Sequence, residues 1–143
     1  MPYRFIEEEA TADIAFEAWG KDLGEVFQDA ADATINVMID NLDAIEPRES
    51  RLIELDNEML DLLLFDLLQQ LIYYKDAEQL LLRVTEAEIG NPGGKWQLRA
   101  VGKGERLHVE RHHQRVDVKA VTLHHFWLKQ ADDGWRAHVI LDI

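Results

Sequence analysis

The segment from Leu80 to Ala100, LLLRVTEAEIGNPGGKWQLRA, decides the fold. Leu80 to Ile89 is a β-rich run, Asn91-Pro92-Gly93-Gly94 is concentrated turn chemistry, and Trp96, Leu98 and Ala100 then alternate with polar neighbours. Proline presets φ and glycine accepts positive φ without steric cost, so the two runs are expected to pair as an antiparallel hairpin. Gly102 and Gly104 are expected to break the second strand before Leu107. Further on, Val116 to Lys129 is a long β-rich run, and Asp132-Asp133-Gly134 turns the chain into Trp135, Ala137, Val139 and Leu141. That alternation predicts a second hairpin ending at the C-terminus.

Upstream the pattern is mixed. Asp13 to Trp19 alternates as a strand, with Ile14, Phe16 and Ala18 on one side, and Gly20 ends it. Leu23, Val26, Phe27, Ala30, Ala31, Thr34, Val37 and Met38 then fall at the three-and-four spacing of an amphipathic helix, closed by Asp40, Asn41 and the Pro47 region. Ser50 to Leu55 reads as a short strand. Asp56 is the expected N-cap of a second helix running to about Tyr74. This helix is apolar on more than one side, so it should be the most buried element. The expected fold is α+β: one domain over residues 1–143, with a curved, mostly antiparallel sheet or barrel-like sandwich packed with two helices.

Composition narrows the function. The 143 residues are 47% hydrophobic and 30% charged, which suits one folded domain and excludes disordered and collagen-like classes. There is no cysteine, so disulfides, thiolate metal sites and cysteine nucleophiles are excluded, in keeping with a cytoplasmic protein. The richest apolar run, Met59 to Tyr74, carries Asp61, Asp66, Gln69 and Gln70, and the start lacks a signal-peptide run, so no membrane role is expected. Net charge is −13, which opposes general binding to a polyanion. The charge is uneven, however. Residues 1–94 hold 6 basic and 22 acidic side chains, whereas residues 95–119 hold 7 basic and 3 acidic ones. An acidic body with one basic segment points to a protein partner. Within that segment Arg106, Arg111, Arg115 and Lys119 are candidate RNA or partner contacts, the alternative being a solvated hairpin.

Few residues offer chemistry. Asp142 stands between Leu141 and Ile143, one residue from the terminal carboxylate, with no Lys or Arg between Ala137 and Ile143. Oxygen anions so close repel unless hydrated, hydrogen-bonded or bridged by a cation. A frayed acidic terminus is the alternative. Asp13 interrupts the start of a strand and reads either as a turn or cap residue or as a ligand. If the first long strand and the last lie side by side, the two acids supply a hard oxygen site for Ca²⁺, Mg²⁺ or Mn²⁺. His112-His113 and His124-His125 are adjacent pairs whose members should face opposite sides of strands, which argues against zinc. The glycine pairs match no dinucleotide or phosphate loop, and no nucleophile motif occurs.

Three separated motifs, in order, resemble the archease family. Tyr3-Arg4-Phe5 through Ala10-Thr11-Ala12-Asp13-Ile14 and Trp19-Gly20-Lys21-Asp22-Leu23 resemble its opening. Asp117-Val118-Lys119-Ala120-Val121-Thr122-Leu123-His124 resembles its Val-Lys-Ala-Val-Thr-Tyr-His segment, and Gly134-Trp135 through Val139-Ile140-Leu141-Asp142-Ile143 its ending. The resemblance implies a non-catalytic, metal-binding accessory protein that promotes guanylylation and multiple turnover of the GTP-dependent tRNA-splicing RNA ligase. A chaperone-like role toward another RNA-processing enzyme, such as a tRNA methyltransferase, is the second implied function. The family's metal positions carry over to Asp13, Asp142 and the main-chain or terminal oxygen of Ile143, with Ca²⁺, Mg²⁺ or Mn²⁺ as the cation. Two departures stand out. Glu9-Ala10 replaces the usual Asp-His, which leaves a ligand role for Glu9 open, and Leu123 replaces a usual Tyr.

Overall fold

A computed structural model describes residues 2–6 and 13–143. The elements in order are β1 (Tyr3–Ile6), β2 (Asp13–Gly20), α1 (Leu23–Met38), a 3₁₀ turn (Leu42–Ala44), β3 (Glu49–Asn57), α2 (Leu60–Glu78), β4 (Leu80–Gly90), a second 3₁₀ turn (Pro92–Gly94), β5 (Trp96–Arg106), β6 (Ala120–Ala131) and β7 (Gly134–Asp142). The strands form a four-stranded sheet in the order β1-β2-β7-β6 and a three-stranded sheet in the order β3-β5-β4. Every strand pairing is antiparallel.

The helices lie between the sheets. α1 contacts β1, β2 and β7 on one side and β4 on the other; α2 contacts β3, β4 and β5 on one side and β6 on the other. Leu63, Leu64, Leu67, Leu68 and Leu71 of α2 are accordingly buried all round the helix, each contributing about 2 kcal/mol of transfer free energy. Ala30, Ala31 and Ala33 let α1 approach its neighbours closely. The architecture is the expected α+β arrangement, as a sandwich of curved sheets that is not closed into a barrel. Both predicted hairpins form, β4-β5 across Asn91 to Gly94 and β6-β7 across Asp132 and Asp133. Gly93 and Gly94 take φ of 65° and 87°, which is what the first turn requires.

Four local expectations are corrected. Asp56 lies within β3 opposite Gln97 and contacts Lys95 at 3.2 Å, while α2 is capped at Met59, whose N–H donates to Asn57 Oδ1 at 3.0 Å. α2 runs on to Glu78 because polar ties hold its last turn: Lys75 donates to Val118 O and Asp117, and Glu78 pairs with Arg51. Gly102 and Gly104 do not break β5. At Gly104 a Cβ would stand 1.6 Å from Leu81 O, so the missing side chain admits the partner backbone and lets the strand continue. Finally, β6 starts at Ala120, and β1, read from the sequence only as part of a motif, pairs with β2.

Candidate metal centre

β2 and β7 are neighbours in the sheet, and their register sets Asp13 directly opposite Asp142. Directly opposed residues of an antiparallel pair share a face with Cβ atoms roughly 4.5–5.5 Å apart, so the two carboxylates can reach one cation. Both side chains are half-buried. On the far side of Asp142 stands Ala120 of β6, too small to crowd the carboxylates. The strand end is held in place by Lys119, whose N–H donates to Asp142 O at 2.8 Å. Ile14, Leu141 and Ile143 pack into the core, so apolar burial fixes the backbone that carries the acids. Among the described residues no Lys, Arg or His forms an ion pair with either aspartate.

Like charges set face to face on a sheet are destabilising. Two hard carboxylates in that position suit Ca²⁺, Mg²⁺ or Mn²⁺, which take oxygen ligands and tolerate water or phosphate in their remaining positions. No cluster of three or more His, Asp or Glu side chains at metal-binding spacing occurs among the described residues. Asp13 and Asp142 are therefore the side-chain ligands on offer, with the oxygens of Ile143 next in line along β7. Glu9, with Ala10, Thr11 and Ala12, lies outside the described residues.

The basic segment resolves into separate roles. Arg106 donates to Glu78 O at 2.7 Å and lies 3.5 Å from Glu49. Arg111 forms a two-pronged pair with Glu105, at 2.6 and 3.1 Å. Arg115 Nη1 approaches Asn36 O at 3.4 Å, and its N–H donates to Met38 O. Lys119 is exposed beside Asp142. Two of the four cations thus serve the fold, while Arg115 and Lys119 belong to the strap that leaves β5, passes the end of α1 and reaches the aspartate pair.

That strap, residues 107–119, is anchored by a polar centre that sequence reasoning missed. Glu105 and His112 are both 1% exposed. Glu105 accepts from Arg111, from Glu46 N–H at 2.8 Å and from His112 Nε2 at 3.0 Å. His112 Nδ1 accepts from His108 N–H at 2.8 Å, so the ring is the neutral tautomer with its proton on Nε2. The Arg111 guanidinium, foremost, holds the Glu105 carboxyl down at about 2 against the opposing effect of burial. A Glu-x₆-His spacing carries no recognisable signal, because only the folded loop brings the two together.

The histidine pairs also differ from expectation. His112 and His113 lie in the strap outside any strand. In β6 the register jumps between Thr122 and Trp127, His125 takes φ of 51°, and the rings of His124 and His125 come to 4.0 Å centroid to centroid.

The chain matches the archease protein family (MTH1598/TM1083) over residues 3–143. It belongs to the archease family. A protein archease of Methanosarcina acetivorans is 35% identical over 142 residues, covering 99% of this chain and 95% of that protein. The archease-family solution structure of Methanobacterium thermoautotrophicum protein 1598 is 34% identical, with a TM-score of 0.86 over 99% of both chains. A Thermotoga maritima crystal structure described as an archease, possible chaperone, has the same fold at 18% identity, with a TM-score of 0.58 over 96% of both chains. The archease motifs quoted above thereby take on positions in space. Two of them meet where β2 begins and β7 ends, at Asp13 and Asp142.

Proposed function

We propose that this archease-family chain is a non-catalytic accessory protein that promotes guanylylation and multiple turnover of the GTP-dependent tRNA-splicing RNA ligase. The observation that carries the reading is the cross-strand pair Asp13–Asp142, exposed enough to reach a partner's site and without a cationic partner among the described residues. Asp13, Asp142 and an oxygen of Ile143 would hold a divalent cation. A cation held there supplies electrostatic stabilisation of charge developing on nucleotide phosphates. The chain's own part is to fix the carboxylates on two paired strands and to leave the cation's remaining positions open to phosphate. Its acidic body would complement a basic ligase surface. The likeness to an archease described as a possible chaperone supports a second reading, modulation of another RNA-processing enzyme such as a tRNA methyltransferase, in the cytoplasm in either case.

The test is GTP-dependent labelling of the ligase at limiting metal, with and without the chain. Wild type should accelerate labelling and label nothing alone. Folded Asp142→Ala should lose the stimulation. If it stimulates as wild type does, cation positioning is wrong and a conformational, chaperone-like effect replaces it.

A further inference from the structure

Because the helices fill the space between the sheets, the other face of the four-stranded sheet is turned outward. Asp13 and Asp142 lie at one end of it. At the other end, about 20 Å away along β2 at ~3.4 Å per residue, the cross-strand register sets Trp19, Arg136 and Lys129 in one row and Glu17, His138 and Trp127 in the next.

One feature of this end lacks a structural reason. Lys129 and Arg136 are directly opposed and exposed, and neither forms an ion pair among the described residues, although the chain carries 28 acidic side chains. Opposed like charges destabilise a sheet, so the arrangement is one that an anion would relieve. Beside them the His138 ring stacks on Trp127, 5.7 Å between centroids and 18° between planes, and Lys129 Nζ sits 4.8 Å over the Trp127 ring. His138 is fixed by its Nδ1–H, which donates to His125 O at 2.7 Å, a contact produced by the left-handed turn at His125. The one carboxylate in these rows, Glu17, is paired with Arg4 at 3.0 Å.

The geometry points to a nucleotide-binding platform here: a base stacks on the Trp127–His138 pair in place of the Lys129 ammonium, and Lys129 and Arg136 take the adjacent phosphate. An aromatic ring accepts any base by stacking, and Trp127 is half-buried at the end of the sheet, with its ring held by His138. Lys129 is long and exposed enough to leave the ring for the phosphate, whereas the ring itself is held by its His138 contact. A single-stranded RNA and a free mononucleotide offer the same base–phosphate unit. The platform is independent of the ligase reading, since it uses neither aspartate and needs no partner protein.

The experiment is an ¹⁵N-amide titration of the full chain with hexauridylate, with uridine monophosphate and with inorganic phosphate. Hexauridylate should shift amides in the 127–138 hairpin and the facing part of β2. The Lys129→Gln/Arg136→Gln double variant should bind at least tenfold more weakly while keeping a dispersed spectrum and melting at or above wild type, because the opposed like charges are gone. Trp127→Leu should weaken binding by about fivefold or more, the low end of what a stacked base contributes. Tighter binding of hexauridylate than of the mononucleotide identifies a strand as the ligand; equal binding identifies a free nucleotide. No shifts with either, shifts confined to residues 106–119, or inorganic phosphate binding as tightly as hexauridylate would each overturn the platform. Silence toward nucleotides combined with lost ligase stimulation in the double variant would also overturn it, assigning the patch to a protein partner.

Discussion

Asp29 lies half-buried on α1, and that burial, followed by the neighbouring Asp32 and Glu25 carboxylates, pushes its pKa up to about 7 from 3.8. In that window the folded chain keeps a proton that the unfolded chain has released, so stability falls as pH rises through it. Asp29→Asn should therefore melt above wild type at pH 8, with the difference closing as the pH drops below about 4. Equal melting at pH 8 would show that the site rehydrates its charge. Glu105 has the opposite sign. Its folded pKa of about 2 lies below its ordinary value of 4.5, so its contribution is fully present above pH 4.5 and is lost as the pH falls toward 2. Glu105→Gln should cost on the order of 2 kcal/mol at neutral pH, because it leaves Arg111 and the Glu46 N–H less well satisfied, and should flatten acid unfolding in that window. Denaturant unfolding at several pH values checks both. Neither group was legible in the sequence. Helix periodicity shows which face Asp29 takes but not that Asp32 and Glu25 crowd it, and Glu105 looks like one more acid in a strand.

Among the elements, periodicity was read correctly wherever burial imposed it. α1 and both hairpins follow from apolar spacing and turn residues, whereas the pairing of β2 with β7, which sets Asp13 opposite Asp142, stood in the sequence only as a condition, because no local signal joins strands so distant along the chain. The misreadings fall where a contact distant in sequence overrides the local signal. Asp56 resembles a cap by composition, yet the β3-β5 ladder claims it and the N-cap position falls to Met59, which caps without a side-chain hydrogen bond. Gly104 resembles a breaker, yet its role is to let β4 pass close. Gly104→Ala should accordingly destabilise by about 3 kcal/mol, since the new methyl meets a backbone oxygen that cannot rotate away. Gly94, where a Cβ would meet nothing within 4 Å, separates this clash from glycine's general conformational freedom. Gly94→Ala should cost about 1 kcal/mol through its positive φ alone. Urea unfolding of the two variants gives the comparison, and equal losses would mean that β4 shifts to accommodate the methyl.

At the scale of the whole molecule, the outward face of the four-stranded sheet carries unrelieved like charges at both ends, carboxylates at Asp13–Asp142 and cations at Arg136–Lys129. A fold with a well-packed interior keeps such pairs only where something other than its own stability is served, and in a chain of net charge −13 the carboxylate end is the more repulsive. A divalent cation that binds the folded state preferentially should stabilise it by about 2.7 kcal/mol at one hundred times its dissociation constant, raising the melting temperature by roughly 5–10 °C for a chain of this size. In chelator, Asp13→Asn/Asp142→Asn should melt at or above wild type, because the repulsion is gone; with added Mn²⁺ the order should reverse, because only wild type gains. Monovalent salt at matched ionic strength separates binding from screening, which acts on all exposed charges alike. If sodium chloride raises wild type as far as Mn²⁺ does, or if the double variant gains as much from Mn²⁺ as wild type, the paired aspartates do not hold a cation, and the ligase experiment must then be explained by contact alone.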